Sequence, residues 1–266
     1  MPEVDWKKLV AVVGKATVRG GRFVGRKAAE AYRSIDPDVM RHLAQVPLLS
    51  YSLLVSREEK IEAGEPDGHP PLVFVHGLGG NRGNFLLMAW YLRLKGRRRS
   101  YKIHFDPGQS IAEMAAALAR FIRAVKKATG ESQVEIVAHS LGGIVARMAI
   151  EKHRLASSVA TLVTLGTPHK GTYPARYANT VNTREIRPDS ALICELNKRP
   201  WPGRVRGVTF WSRGDLFVLP AESAAVPGTE TVDMTPFTHY SYLLDPKSFA
   251  AVADALKTRP KNAAGR

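Results

Sequence analysis

The stretch Val134-Glu135-Ile136-Val137-Ala138-His139-Ser140-Leu141-Gly142-Gly143 constrains the chain more than any other. A β-branched run ends in small residues around one serine, and an apolar segment that reads as a helix, Ile144 to Ile150, follows at once. Strand, sharp turn and helix with a serine at the apex is the layout of a nucleophile elbow. Such a turn cramps the serine backbone, so the residues two positions away must be small. Here they are Ala138 and Gly142. Glycine is usual at both places, and alanine at 138 is a mild departure. The layout lifts the Ser140 hydroxyl above the sheet edge. It also aims a helix start, with its free N–H groups and positive dipole end, at whatever the serine attacks.

The chain has 266 residues, enough for one large α/β domain with an extension. No apolar run approaches the roughly 20 residues that span a bilayer. Leu9 to Val13 is shorter than the about 7–15 residues of a secretory h-region, and Gly14-Lys15 interrupts it. A location in the cytoplasm or peripherally at a membrane surface is expected on this reading. A single cysteine, Cys194, excludes an intrachain disulfide. The net charge is +15, from 39 Lys and Arg against 24 Asp and Glu. Apart from Lys95-Gly96-Arg97-Arg98-Arg99 the basic residues are dispersed, without stacking aromatics or a nucleic-acid-binding motif. They read as a solvated surface, and no nucleic-acid partner is expected.

Residues 1–65 read as a basic helical extension. Trp6, Leu9, Val10 and Val13 share one helical face, and Val24, Ala28, Ala31, Tyr32 and Ile35 another. Asp36-Pro37 opens a third short helix that Pro47 ends. The apolar stripes either pack on the domain or on a second copy of the chain, or they rest on a membrane surface through their basic flanks. The sequence sets no oligomeric state.

A catalytic domain is expected over 66–258, with a polar tail at 259–266. Leu72-Val73-Phe74-Val75 is a fully apolar strand, and His76-Gly77-Leu78-Gly79-Gly80 follows it directly. Acyl transfer needs two N–H donors converging on a developing oxyanion. The backbone N–H groups of Leu78 and Leu141 fit that need. His76 is given a structural role within its loop. No phosphate-binding glycine pattern is present. A helix from Asn84 to Lys95, a strand from Tyr101 to Phe105 and a long helix opened by the capping box Ser110 to Glu113 follow. Strands alternating with helices predict an α/β fold, with a mostly parallel sheet covered by helices on both faces.

Past the elbow, Val159 to Leu165 is another strand and runs into Gly166-Thr167-Pro168-His169-Lys170-Gly171. The connection of about 170–204 holds one short helical stretch near Ser190 to Asn197 and reads as a small lid insertion. Tyr173, Tyr177, Leu192 and Leu196 are its candidate pocket residues, and core packing is their alternative use. Asp215 sits just past the strand Val205 to Trp211, and a last strand spans Thr229 to Met234. His239 lies in the loop before the final helix, which Asp245-Pro246 caps. Serine, acid, histidine is the chain order of an α/β-hydrolase triad. Glu222 and Asp233 are weaker candidates for the acid, because one lies in a Pro/Ser-rich loop and the other within its strand.

These pieces together resemble the bacterial lipase and esterase group of the α/β-hydrolase superfamily. The likeness covers roughly residues 70–257 and leaves out the extension. Its elbow with alanine first is similar to that of small bacterial triacylglycerol lipases and to inositol-deacylase-like hydrolases. The Gly-Thr-Pro-His-x-Gly run is the more specific element. The resemblance implies hydrolysis of carboxylic esters, often of lipids, by Ser140, His239 and Asp215 through an acyl-enzyme, without a cofactor. Some relatives hold a structural calcium, but no acidic cluster here matches, so no metal is assigned. An acyltransferase, thioesterase or polyester depolymerase would use the same triad. A membrane-surface or partner-binding protein on a hydrolase scaffold is the non-enzymatic alternative.

Overall fold

A computed structural model describes residue 45 and residues 60–106 and 108–257 of the chain. The three short helices expected before Pro47 and the tail at 259–266 lie outside the described residues, Gln45 excepted. Among the described residues, six strands form one sheet in the order β2-β1-β3-β4-β5-β6, and every neighbouring pair is parallel. They are β1 (Leu72–Val75), β2 (Ser100–Lys102), β3 (Val134–His139), β4 (Val159–Leu165), β5 (Arg206–Trp211) and β6 (Glu230–Asp233). A parallel sheet needs cover on both faces, and the side chains of its central strands divide accordingly. Val73, Val75, Val134, Ile136 and Ala138 join one hydrophobic cluster, with α2 (Ile111–Thr129) and α3 (Leu141–Lys152). Leu72, Phe74, Val137, Val163 and Phe210 join the other, with α1 (Leu86–Leu94) and α7 (Pro246–Lys257).

The connection from β1 runs to β2 on one side, and the chain then crosses to β3 on the other. The loops after β1 and β3 therefore diverge and leave a crevice at the carboxyl ends of the strands, where ligands of open α/β sheets sit. That crevice receives both the glycine-rich loop after Val75 and the turn at Ser140.

Several expected boundaries shift. Helix α3 begins at Leu141 rather than Ile144, because the turn at Ser140 is tight enough for Gly142 and Gly143 to belong to the first helical turn. The helix expected from Asn84 to Lys95 is present as α1, but its start is a 3₁₀ turn, Arg82–Phe85, capped by Asn81. Strand β2 ends at Lys102, although Ile103 still donates its N–H to Phe74 O. The capping box of α2 is formed as read, Ser110 accepting from Glu113 N and Glu113 from Ser110 N. The segment after β4 is more helical than expected. It holds a 3₁₀ turn at Tyr173–Tyr177, then α4 (Val181–Glu185) and α5 (Ala191–Asn197). A short α6 (Ser241–Leu244) precedes α7. Among the described residues, no helix is long and apolar enough to cross a membrane.

The basic run at 95–99 departs from a solvated surface. Arg97 and Arg99 are buried. Arg97 pairs with Glu135 of β3, and Arg99 with Glu131 at 2.7 Å and with His69 O at 2.6 Å. A guanidinium satisfies several acceptors in one plane, which makes arginine the cation suited to such an interior position.

Candidate active site

Ser140 has φ 54° and ψ −126°, in the left-handed half of backbone space. A non-glycine residue there is strained, and strain of this kind gathers at functional turns. The neighbours explain how the turn is held. Ser140 N donates to Leu165 O at 2.9 Å, and Gly143 N donates to Ser140 O at 3.0 Å. A Cβ on Gly142 would lie 2.5 Å from Val75 O and 2.6 Å from His76 O. Only glycine lets the start of α3 press this closely on the end of β1. On the other side, a Cβ on Gly77 would come within 2.8 Å of Ser140 Cβ. The loop 76–80 therefore abuts the serine.

Two further segments reach the same point. Asp215 follows β5, and His239 lies in the loop between β6 and α6. His239 Nδ1 is 2.8 Å from Asp215 Oδ2, and His239 Nε2 is 2.9 Å from Ser140 Oγ. A carboxylate only accepts, so Nδ1–H donates to Asp215, and Nε2 is left to accept the Ser140 hydroxyl proton. Asp215 is 1% exposed. Its second oxygen accepts from Phe217 N at 2.9 Å and Val218 N at 3.3 Å. Neither oxygen of this buried carboxyl group lacks a hydrogen-bond partner, as burial of a polar group requires. Serine, histidine and carboxylate thus form a continuous line of hydrogen bonds, arranged so that the imidazole can take a proton from the serine oxygen.

Comparison with known proteins agrees with this architecture. Residues 70–181 match the family model described as alpha/beta hydrolase fold. The mature lipase BlEst2 of Bacillus licheniformis superposes with a TM-score of 0.62 at 19% identity, over 74% of this chain and 96% of that one.

The chain has the α/β-hydrolase fold.

Lipase B of Aspergillus fumigatus has the same fold, with a TM-score of 0.66 at 17% identity over 85% of this chain and 58% of that one. A GPI inositol-deacylase of Cryptococcus neoformans var. neoformans serotype D (strain B-3501A) is 29% identical over 147 residues. That match takes in 45% of this chain and 19% of the fungal protein, so the chain spans about a fifth of that relative's length.

Around the site of this α/β-hydrolase fold, two more histidines are buried and neutral. Burial lowers His76 to about 4. Its Nδ1–H donates to Gly77 O at 2.9 Å and its Nε2 accepts from Phe105 N at 3.3 Å. It braces the loop that carries Leu78, in line with the structural role read from the sequence. Burial also drives His139 well below the usual histidine range. Its Nε2–H donates to the backbone carbonyl of His239 at 2.9 Å, and the two rings are 4.6 Å apart. Sequence reading missed this function, although a histidine immediately before the elbow serine was visible in the motif.

Leu78 lies in the loop abutting Ser140, and Leu141 is the first residue of α3, where backbone N–H groups lack partners within the helix. Of the other candidate acids, Asp233 ends β6 and accepts from Thr235 N at 2.8 Å, while Glu222 lies in a 3₁₀ turn. Asp215 is the one that meets His239. Among the proposed pocket residues, Leu196 is buried in the cluster with Ile193 and Trp201, and Leu192 packs against it. Both serve to fix the segment to the body of the protein. Tyr173 and Tyr177 are exposed. Tyr173 N donates to Leu219 O at 3.0 Å, two residues beyond Phe217. Phe217, not singled out from sequence, is partly exposed and lies 5.1 Å, ring to ring, from His239. Among the described residues no cluster of three metal-binding side chains occurs.

Proposed function

We propose that the protein is a serine hydrolase that cleaves carboxylic esters, with lipid or other acyl-chain esters as its substrate class. The observation that carries this reading is the hydrogen-bonded line from Asp215 through His239 to Ser140, on a strained strand-to-helix turn. Ser140 Oγ attacks the ester carbonyl carbon while His239 Nε2 takes its proton. Asp215 keeps the proton-bearing Nδ1 aimed at itself and stabilises the imidazolium. The N–H groups of Leu78 and Leu141 receive the negative charge that forms on the carbonyl oxygen, each contributing about 3 kcal/mol to the transition state. The alcohol leaves with the proton held by His239, and a water molecule repeats the sequence on the acyl-enzyme to release the acid.

Exposed apolar side chains support an acyl-chain substrate. Exposed Leu78 follows Gly77, which abuts Ser140; Phe217 lies against the His239 ring, and Tyr173 is bonded through its backbone to the Phe217 segment. The names of the similar proteins, two lipases and an inositol-deacylase, point the same way. A fluorophosphonate probe tests the assignment. It should label the wild-type protein and leave Ser140→Ala unlabelled. Asp215→Asn should lower the turnover of a p-nitrophenyl ester by about 10⁴-fold. Equal labelling of the wild type and Ser140→Ala would refute the proposal.

A further inference from the structure

Gln45 belongs to the N-terminal extension, yet its amide meets the loop that carries His239. Thr238 Oγ1 donates to Gln45 Oε1 at 2.6 Å, and Gln45 Nε2 donates to Ser241 Oγ at 3.0 Å. Thr238 Oγ1 and Ser241 Oγ are themselves 2.9 Å apart. An amide oxygen only accepts and an amide nitrogen only donates, so the hydroxyl between them has one consistent direction. Ser241 Oγ–H donates to Thr238 Oγ1, and the three side chains close a ring in which each donates once and accepts once. Ser241 Oγ also accepts from Thr238 N at 3.1 Å, and Ser241 N donates to Thr238 O at 3.1 Å.

This ring brackets His239 from both sides along the chain. The loop is also held through backbone carbonyls, by Ser212 Oγ on Phe237 O at 2.7 Å and by His139 on His239 O, and through the His239 ring on Asp215. The side chains on either side of the histidine are tied down by Gln45. Thr238 is 1% exposed, so without Gln45 its hydroxyl proton loses a buried acceptor. We propose that Gln45 is a positioning residue. Through Thr238 and Ser241 it sets the loop that holds His239 within proton-transfer distance of Ser140, coupling the N-terminal extension to the catalytic step. The inference rests on the hydrolase reading above for its kinetic consequence, and on the hydrogen bonds alone for its structural one.

The experiment uses the full chain as wild type, Gln45→Ala, Thr238→Val and the double variant. Turnover of p-nitrophenyl butyrate and amide hydrogen exchange over residues 237–243 are measured on each. Breaking the ring should lower kcat roughly tenfold, in keeping with the steep dependence of rate on alignment. KM should stay within about twofold, because no substrate contact is removed. The double variant should fall no further than either single one, since both open the same ring. Exchange over 237–243 should quicken while that of β3 and β4 stays as in wild type. Thr238→Val provides the same reading should Gln45→Ala fold poorly. An unchanged kcat in the ring variants, additive losses in the double variant, or unchanged exchange would each overturn the proposal. A wild-type protein without esterase activity would instead refute the hydrolase reading, and the exchange measurement would then decide the clamp alone.

Discussion

Arg97 and Arg99 stand in the most basic run of the sequence, and both are buried. Arg97 pairs inside the protein with the buried Glu135, and Arg99 reaches the partly exposed Glu131. Removing one member of a buried pair strands the other charge, at a cost of about 3–5 kcal/mol. Replacing both by apolar residues of similar size avoids that penalty. Arg97→Ala should therefore unfold at much lower denaturant concentration than wild type, whereas Arg97→Met with Glu135→Leu should recover most of the loss. Chemical denaturation followed by circular dichroism checks both. The run looked like a solvated face because sequence shows the charges and not their partners. Glu135 lies on a strand 38 residues away and Gln45 lies 196 residues from Ser241. Pairings at such separations are set by the fold and leave no local pattern. The meeting of Ser140, Asp215 and His239 was readable despite separations of 99 and 24 residues, because each occupies a recognisable kind of strand end.

At the scale of elements, the turn from β3 into α3 depends on Gly142. Alanine in a helix is worth about 1 kcal/mol over glycine, so propensity alone would make Gly142→Ala stabilising. The Cβ, however, would sit 2.5 Å from Val75 O, a contact with rigid backbone that no side-chain rotation relieves. The contact should win. Gly142→Ala is expected to lower both Tm and ester turnover, the latter by at least about tenfold as the loop carrying Leu78 is pushed from Ser140. A Tm at or above wild type would show that the end of β1 yields freely. Strands and helices around the elbow were legible from their apolar runs and from the Ser110 and Glu113 box. The segment after β4 was less so. Helix α4 has five residues, too few for an amphipathic period to show, although Thr180 caps it by accepting from Thr183 N. The early start of α3 was hidden for a different reason: Gly142 and Gly143 look like helix breakers unless the packing that demands them is known.

Across the whole molecule, buried neutral histidines link stability to pH. Burial lowers His76 to about 4 from the ordinary 6.5, and it also holds His139 and His169 well below the usual histidine range. In the unfolded chain each takes up a proton near pH 6.5, while in the folded protein His76 does not until about pH 4. The stability is therefore complete above pH 6.5 and is lost as the pH falls below it. His76 alone accounts for a loss on the order of 2 kcal/mol by about pH 5, above the range where ordinary carboxylates titrate. Tm should fall on acidification across that window, and His76→Asn should fall less steeply. A Tm that is flat from about pH 7 to pH 5 would contradict the burial of these rings as neutral species.

The parallel sheet also has a consequence in time. Ser140 comes from the middle of the chain, whereas His239, its hydrogen-bond partner, arrives on the loop after β6. A ribosome must pass residue 239 before that hydrogen bond can form. On the proposed hydrolase reading, chains released before that point carry a Ser140 hydroxyl with no imidazole to take its proton, and a fluorophosphonate probe should leave them unlabelled.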